Sequence, residues 1–209
     1  MGWLAAFVTV AATALTLVLE PTSTERSRLT KMVASTGFIV VAVVAGALDT
    51  AFGTFVVVGL ILSWIGDLLL TYHGERAFLL GLLSFLLGHV AYVVAFAVRG
   101  QSPGWLIAGL LVTGALAIGI SPWLLPHVGD AMRAPVIAYM VVISAMLLTA
   151  AGTQGSAMDW RILMGAGLFY VSDIYVARNR FVTPGRINRL VGLPLYYAGQ
   201  LLLAWAAGG

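Results

Sequence analysis

Residues 168–178 read LFYVSDIYVAR, and Asp173 sets a carboxylic acid into a segment otherwise fit for lipid. Around it, 61% of the 209 residues are apolar and 9% are charged, and the mean hydropathy is +1.01. Soluble domains of this length do not have such a composition. A membrane-spanning helix needs about 20 mostly apolar residues, and eight such runs are present, roughly at 2–19, 30–48, 53–72, 77–98, 104–121, 131–151, 158–177 and 187–207. The linkers between them are short and leave no room for a separate soluble domain. The expectation is therefore one transmembrane domain over residues 1–209, all-α and polytopic, with eight transmembrane helices. The 24 glycines fit this, because small residues let membrane helices approach closely.

The first run has no basic segment ahead of it, so it is expected to be a retained helix and not a cleaved signal. The chain has no cysteine, which removes disulfides, thiolate metal sites and thiol nucleophiles together. Its cations are unevenly placed. Linkers one, three, five and seven, with their helix ends, carry Arg26, Arg28, Lys31, Arg76, Arg133, Arg178, Arg180, Arg186 and Arg189, against Arg99 and Arg161 on the other side. The positive-inside rule then puts the odd-numbered linkers in the cytoplasm and both termini outside. The net charge of +3 reads as this orientation signal plus attraction to anionic membrane lipids, with no nucleic acid needed as a partner.

Helices three and four echo seven and eight. SWIGDLLL (63–70) precedes FLLGHVAY (85–92), and FYVSDIYV (169–176) precedes LYYAGQLLL (195–203), so Asp67 aligns with Asp173 and Gly88-His89 with Gly199-Gln200. Four helices separate the copies, so both point the same way, as in a four-plus-four parallel internal repeat. Asp67 and Asp173 then lie in the last cytoplasmic turns of their helices, roughly 7 Å inside the hydrocarbon edge at about 1.5 Å per residue. An acid there costs on the order of 2 kcal/mol or more unless paired, hydrated or protonated. Capping does not explain it, since the helix dipole disfavours a carboxylate at a C-terminal end. One explanation is a bond to a neighbouring helix or to Arg178. The other is a shared hydrated cavity in which two acids of separated proton affinity act as general acid and base.

His89 is the one histidine of three inside an expected helix, and with no cysteine and no helical HxxxH it does not make a protein-only metal site. It is a catalytic candidate with Asp67 and Asp173, positioned to orient substrate or water; by helical rise it lies deeper than the acids and out of reach of Asp67. Tyr92 shares its helix face at i+3, and Tyr197 shares a face with Gln200. Lys31, at the cytoplasmic start of helix two, can snorkel or meet a lipid phosphate. Ser172 adjoins Asp173. Lys31, Tyr92, Ser172, Tyr197 and Gln200 are the substrate-binding candidates. There is no phosphate loop and no GxSxG elbow.

These segments resemble the YhhN-type membrane proteins, which include the lysoplasmalogenases. The resemblance rests on TKMVASTGF (30–38), GDLLL (66–70), FLLGLLSFLLGHVAYVVAF (78–96), GAGLFYVSDIYVARNRF (165–181) and LPLYYAGQLLLA (193–204), a little over half the chain. Met32 departs from it, where many members carry proline. The resemblance implies hydrolysis of the vinyl ether bond of a lysoplasmalogen, giving a fatty aldehyde and a glycerophospho-ethanolamine or -choline. The implied partners are a lysophospholipid and water, with no metal or organic cofactor.

Protonation of the alkene β-carbon gives an oxocarbenium ion that water captures, so the site needs an acid, a nearby negative charge and water. Paired carboxylates serve the same type of cation in glycosidases, an analogy of mechanism and not of fold. Which aspartate is the acid is open from sequence. A proton- or cation-coupled transporter uses intramembrane acids and parallel repeats too, and buried polar groups that only specify packing are a third reading.

Overall fold

A computed structural model of the chain describes residues 1–20, 23–155 and 158–209. Eight α-helices follow one another: α1 (Gly2–Leu19), α2 (Thr24–Val44), α3 (Ala51–Leu69), α4 (Glu75–Arg99), α5 (Pro103–Leu124), α6 (Asp130–Gly152), α7 (Trp160–Ala177) and α8 (Arg186–Ala206). Neighbours in sequence pair as antiparallel hairpins, α1 with α2, α3 with α4, α5 with α6 and α7 with α8. Further packing joins α2 to α3 and α8, and α6 to α7 and α4. The protein is a multi-pass membrane protein by the length and apolarity of these helices.

Helix bounds follow hydropathy closely except at α2, which starts six residues before the apolar run. The Ser23 side chain accepts a hydrogen bond from the Arg26 backbone N–H and Glu25 sits in the first turn, a capped and dipole-matched start. Hydropathy cannot see such a charged turn. Among the described residues, α1 to α6 are long and apolar enough to cross a membrane. The helices that fall short, α7 and α8, are those that carry Asp173 and Ser172, and Asn188 and Gln200. Their polar residues lower the mean hydropathy although most of them are turned inward.

Two glycine contacts set the spacing within the hairpins that hold the acids. A Cβ on Gly88 would lie 3.2 Å from the Gly59 carbonyl oxygen, and one on Gly199 would lie 2.8 Å from that of Gly165. Backbone thus meets backbone across α3–α4 and across α7–α8. The core between the hairpins is aromatic: Phe169 of α7 packs against Phe85, His89, Tyr92 and Tyr196 with ring centroids 4.7–6.4 Å apart. Helix α7 does not stop after Ala177 but continues as a π-helical turn over Arg178–Val182.

Candidate functional site

Asp67, near the end of α3, is 2% exposed and saturated with partners. Lys31 of α2 approaches its Oδ1 at 3.0 Å. Its Oδ2 accepts hydrogen bonds from Ser35 at 2.6 Å and from Tyr196 at 2.6 Å. A polar network stands behind these groups. Tyr197 shares a hydrogen bond with Ser35 and donates to the Lys31 carbonyl, while Gln200 donates to Tyr196 and accepts from Tyr92 at 2.7 Å. One ammonium and two hydroxyls thus converge on this carboxylate.

Asp173 stands differently. Tyr139 of α6 donates to its Oδ2 at 2.5 Å, and no cation is paired with it among the described residues. A second polar neighbour is His89, whose Nε2 lies 3.8 Å from the same oxygen. The His89 Nδ1 lies 2.6 Å from the Phe85 carbonyl oxygen. A carbonyl only accepts, so Nδ1 carries a hydrogen, and in the neutral imidazole Nε2 is then the nitrogen with the lone pair. That buried nitrogen has no hydrogen-bond partner. It gains one if Asp173 carries a proton and closes the gap.

Both acids line one cavity of ≈ 440 Å³. Its wall is apolar at Ile120, Leu124, Val136, Met140 and Ile143, and basic at Arg180 and Arg189 beside Pro184. Volume and mixed lining match what a ligand pocket requires. Such a wall accepts an amphiphile with its chain among the apolar side chains and its head at the arginines.

The expected residues divide into two groups. Lys31, Asp67, Ser172 and Asp173 line the cavity. Tyr92, His89, Tyr197 and Gln200 are not in the lining: the first, third and fourth belong to the hydrogen-bond network around Tyr196, Ser35 and Lys31. Lys31 does not wait at the surface for a phosphate, because Asp67 holds it. Arg178 is no partner of Asp173; its guanidinium donates to Asn188. The π-helical turn puts Asp173 nine residues from the end of the continuous helix, roughly 13 Å by rise, farther than the end of α7 alone implied. His89 therefore reaches it.

Three residues were missed: Ser35, Tyr139 and Tyr196. Ser35 lies one turn beyond Lys31, and helical stacking at i+4 would have found it. Tyr139 lies 34 residues before the acid it serves, as Ser35 lies 32 residues before its own. Applying the repeat to the preceding helix would have found it. Among the described residues no three His, Cys, Asp or Glu side chains gather as metal ligands would.

The sequence pattern of the YhhN family matches residues 26–207. The chain is 35% identical over 160 residues to lysoplasmalogenase TMEM86A of Bos taurus, covering 74% of this chain and 65% of that protein. It is 35% identical over 148 residues to lysoplasmalogenase TMEM86B of Mus musculus, covering 71% and 61%. A lysoplasmalogenase of Mycobacterium bovis is 31% identical over 157 residues, covering 71% and 58%. The matched regions thus span just under two thirds of these curated relatives. No solved structure matches the chain.

Proposed function

The chain belongs to the YhhN family, and from that premise we propose that it is a membrane hydrolase that cleaves the vinyl ether bond of lysoplasmalogens. The names of its relatives favour a hydrolase over a transporter. In this reading the lysolipid lies along the cavity with its phosphate near Arg180 and Arg189 and its alkenyl chain along Ile120, Leu124, Val136 and Met140.

Asp173 is the acid. The observation that carries this assignment is the unpartnered His89 Nε2 at 3.8 Å from Asp173 Oδ2, in a place without a lysine or arginine, whereas Asp67 is tied to Lys31. Asp173 gives its proton to the β-carbon of the alkene, and the α-carbon becomes an oxocarbenium ion. The fixed charge of Asp67 stabilises that cation. Water adds to the α-carbon and returns a proton to the Asp173 carboxylate, with Ser172 placed to orient it. The hemiacetal so formed collapses to aldehyde and glycerol hydroxyl, and the acid is regenerated.

All eight helices span the membrane in this reading, the arginine-rich end of the cavity faces the cytoplasm, and both termini lie outside. A four-plus-four parallel repeat is supported by the packing pairs: α2 with α3 and α8 is matched by α6 with α7 and α4. Each acid correspondingly takes partners from its own preceding helix and from the last helix of the opposite half, Asp67 from α2 and α8 and Asp173 from α6 and α4. The test is aldehyde release. Purified protein is incubated with lysolipids that carry vinyl ether, alkyl ether or ester chains, and products are identified by mass spectrometry. Aldehyde is expected from the vinyl ether alone, and its absence from all three overturns the assignment.

A further inference from the structure

Beside the basic end of the cavity lies a second recess, lined by Glu20, Asn179, Gly185, Arg186 and Arg189. Asn179 and Arg189 belong to both walls, so the two spaces adjoin. Arg189 of α8 is paired with Glu20 at the end of α1. The rim is fixed in place by Asn188, itself 2% exposed. Its Nδ2 donates to Asn179 Oδ1 and to the Thr183 carbonyl, and Asn179 Oδ1 also accepts from the Gly185 backbone N–H.

Glu20 has no local reason to be acidic. It caps the C-terminus of α1, where the helix dipole disfavours a carboxylate, and a half-exposed Glu–Arg pair contributes only about 0–1 kcal/mol. One carboxylate among three arginines does form a fixed dipole at the cavity mouth. A zwitterion laid across it exchanges the single Glu20–Arg189 pair for two, phosphate with arginine and ammonium with Glu20.

We propose that this rim is a headgroup subsite selective for ethanolamine, in which Arg189 and Arg180 take the phosphate of the lysophospholipid and Glu20 takes its primary ammonium. The proposal rests on the lipid-hydrolase reading above and adds the headgroup to it. A primary ammonium offers three N–H donors to a carboxylate. A quaternary ammonium offers none and is held mainly against aromatic faces. The described residues lining the recess include no aromatic, and Pro21 and Thr22, next to Glu20, supply none by sequence. In the adjoining cavity one face of Phe78 is already covered by Arg180, 4.4 Å from the ring centroid.

Binding is measured independently of turnover with alkyl-ether lysolipids, which cannot be hydrolysed by this chemistry, bearing ethanolamine, choline or glycerol headgroups. Each is titrated into the detergent-solubilised protein and read by native mass spectrometry. The ethanolamine form is expected to bind about tenfold tighter than either other, the scale of one charge-assisted hydrogen bond. Glu20→Gln removes that preference and leaves the choline and glycerol forms within about twofold of their original affinity, while Arg189→Gln weakens all three. An unchanged melting temperature in Glu20→Gln separates recognition from folding. Equal affinities in the unmodified protein, or the same ranking in Glu20→Gln, overturn the subsite. An intact ranking with no aldehyde from the matching vinyl ethers keeps the subsite and overturns the hydrolase reading instead.

Discussion

Lys31 Nζ stands 3.0 Å from Asp67 Oδ1, so one of the two cavity acids is matched by a cation while the other meets a phenol and an imidazole. Removing one partner of a buried ion pair leaves the other charge without compensation. Lys31→Met is therefore expected to destabilise the protein by about 3–5 kcal/mol, read from denaturation in detergent. Adding Asp67→Asn to it should restore most of that loss without restoring aldehyde release. A Lys31→Met protein as stable as the original would show that the pair is not buried in the sense argued.

Asp67→Asn and Asp173→Asn should each lower the rate of aldehyde release by at least about 100-fold, the scale of lost acid or electrostatic catalysis. The double variant should be little worse than either single one, because groups acting on one transition state are strongly non-additive. If Asp173→Asn unfolds the protein while Asp67→Asn still releases aldehyde at the original rate, the acid in α7 is holding structure together and the catalytic pair is wrong.

Tyr139 touches the acid and not the reacting bond in the proposed reaction. Tyr139→Phe should thus lower kcat roughly tenfold, the loss of one strong hydrogen bond, with KM little changed. A raised KM with kcat intact would instead make Tyr139 a contact to substrate.

The charge asymmetry predicts topology. A reporter fused after Gly209 should report the outside and one inserted near Pro184 the cytoplasm. Finding Gly209 inside would place the cavity mouth, with Arg180 and Arg189, on the opposite face.

At the end of the molecule away from the cavity mouth, Asp159 caps α7 and is bound through both oxygens by Arg161. Arg161 also donates to the carbonyls of Trp205 and Gly209. Burial raises the Asp159 carboxyl's affinity for protons, but the hydrogen bonds and charge of Arg161, helped by Arg99, outweigh it and hold the group below the usual carboxylate range. A depressed value in the folded state stabilises the protein above the ordinary range, about 3.9, and that contribution is lost as pH falls through the folded value. Asp159→Asn should accordingly lower the melting temperature at pH 7. The difference should shrink as pH is taken below about 4, and a difference independent of pH would assign the effect to shape alone.

Hydropathy alone located seven of the eight helix starts within about three residues, and the dipole argument marked both acids as out of place. What it could not show was which acid had a cation. Lys31 and Asp67 are 36 residues apart, and only the packing of α2 on α3 brings them together. The tyrosines were hidden for another reason. A tyrosine midway along an apolar helix is an ordinary packing residue, so nothing in Tyr196 or Tyr139 taken alone distinguishes a hydrogen-bond donor to an acid from core filling. The distance of Asp173 from its helix end was underestimated because continuation of α7 into a π-helical turn has no signature in RNRFV, which reads as a polar linker.

The cavity lining sets apolar side chains at Ile120, Leu124, Val136 and Met140 against the cations of Arg180 and Arg189, an apolar–polar boundary. Cutting an amphiphile across such a boundary hands its halves to different phases. At about 0.8 kcal/mol per methylene, a long-chain aldehyde stays dissolved in the bilayer, whereas the glycerophospho fragment has lost its only anchor and diffuses away in water. The products dilute into separate volumes and seldom meet again. Under the proposed reaction, partition itself makes the step one-way, and a membrane-disrupting single-chain lipid is removed without any catch or gate in the protein.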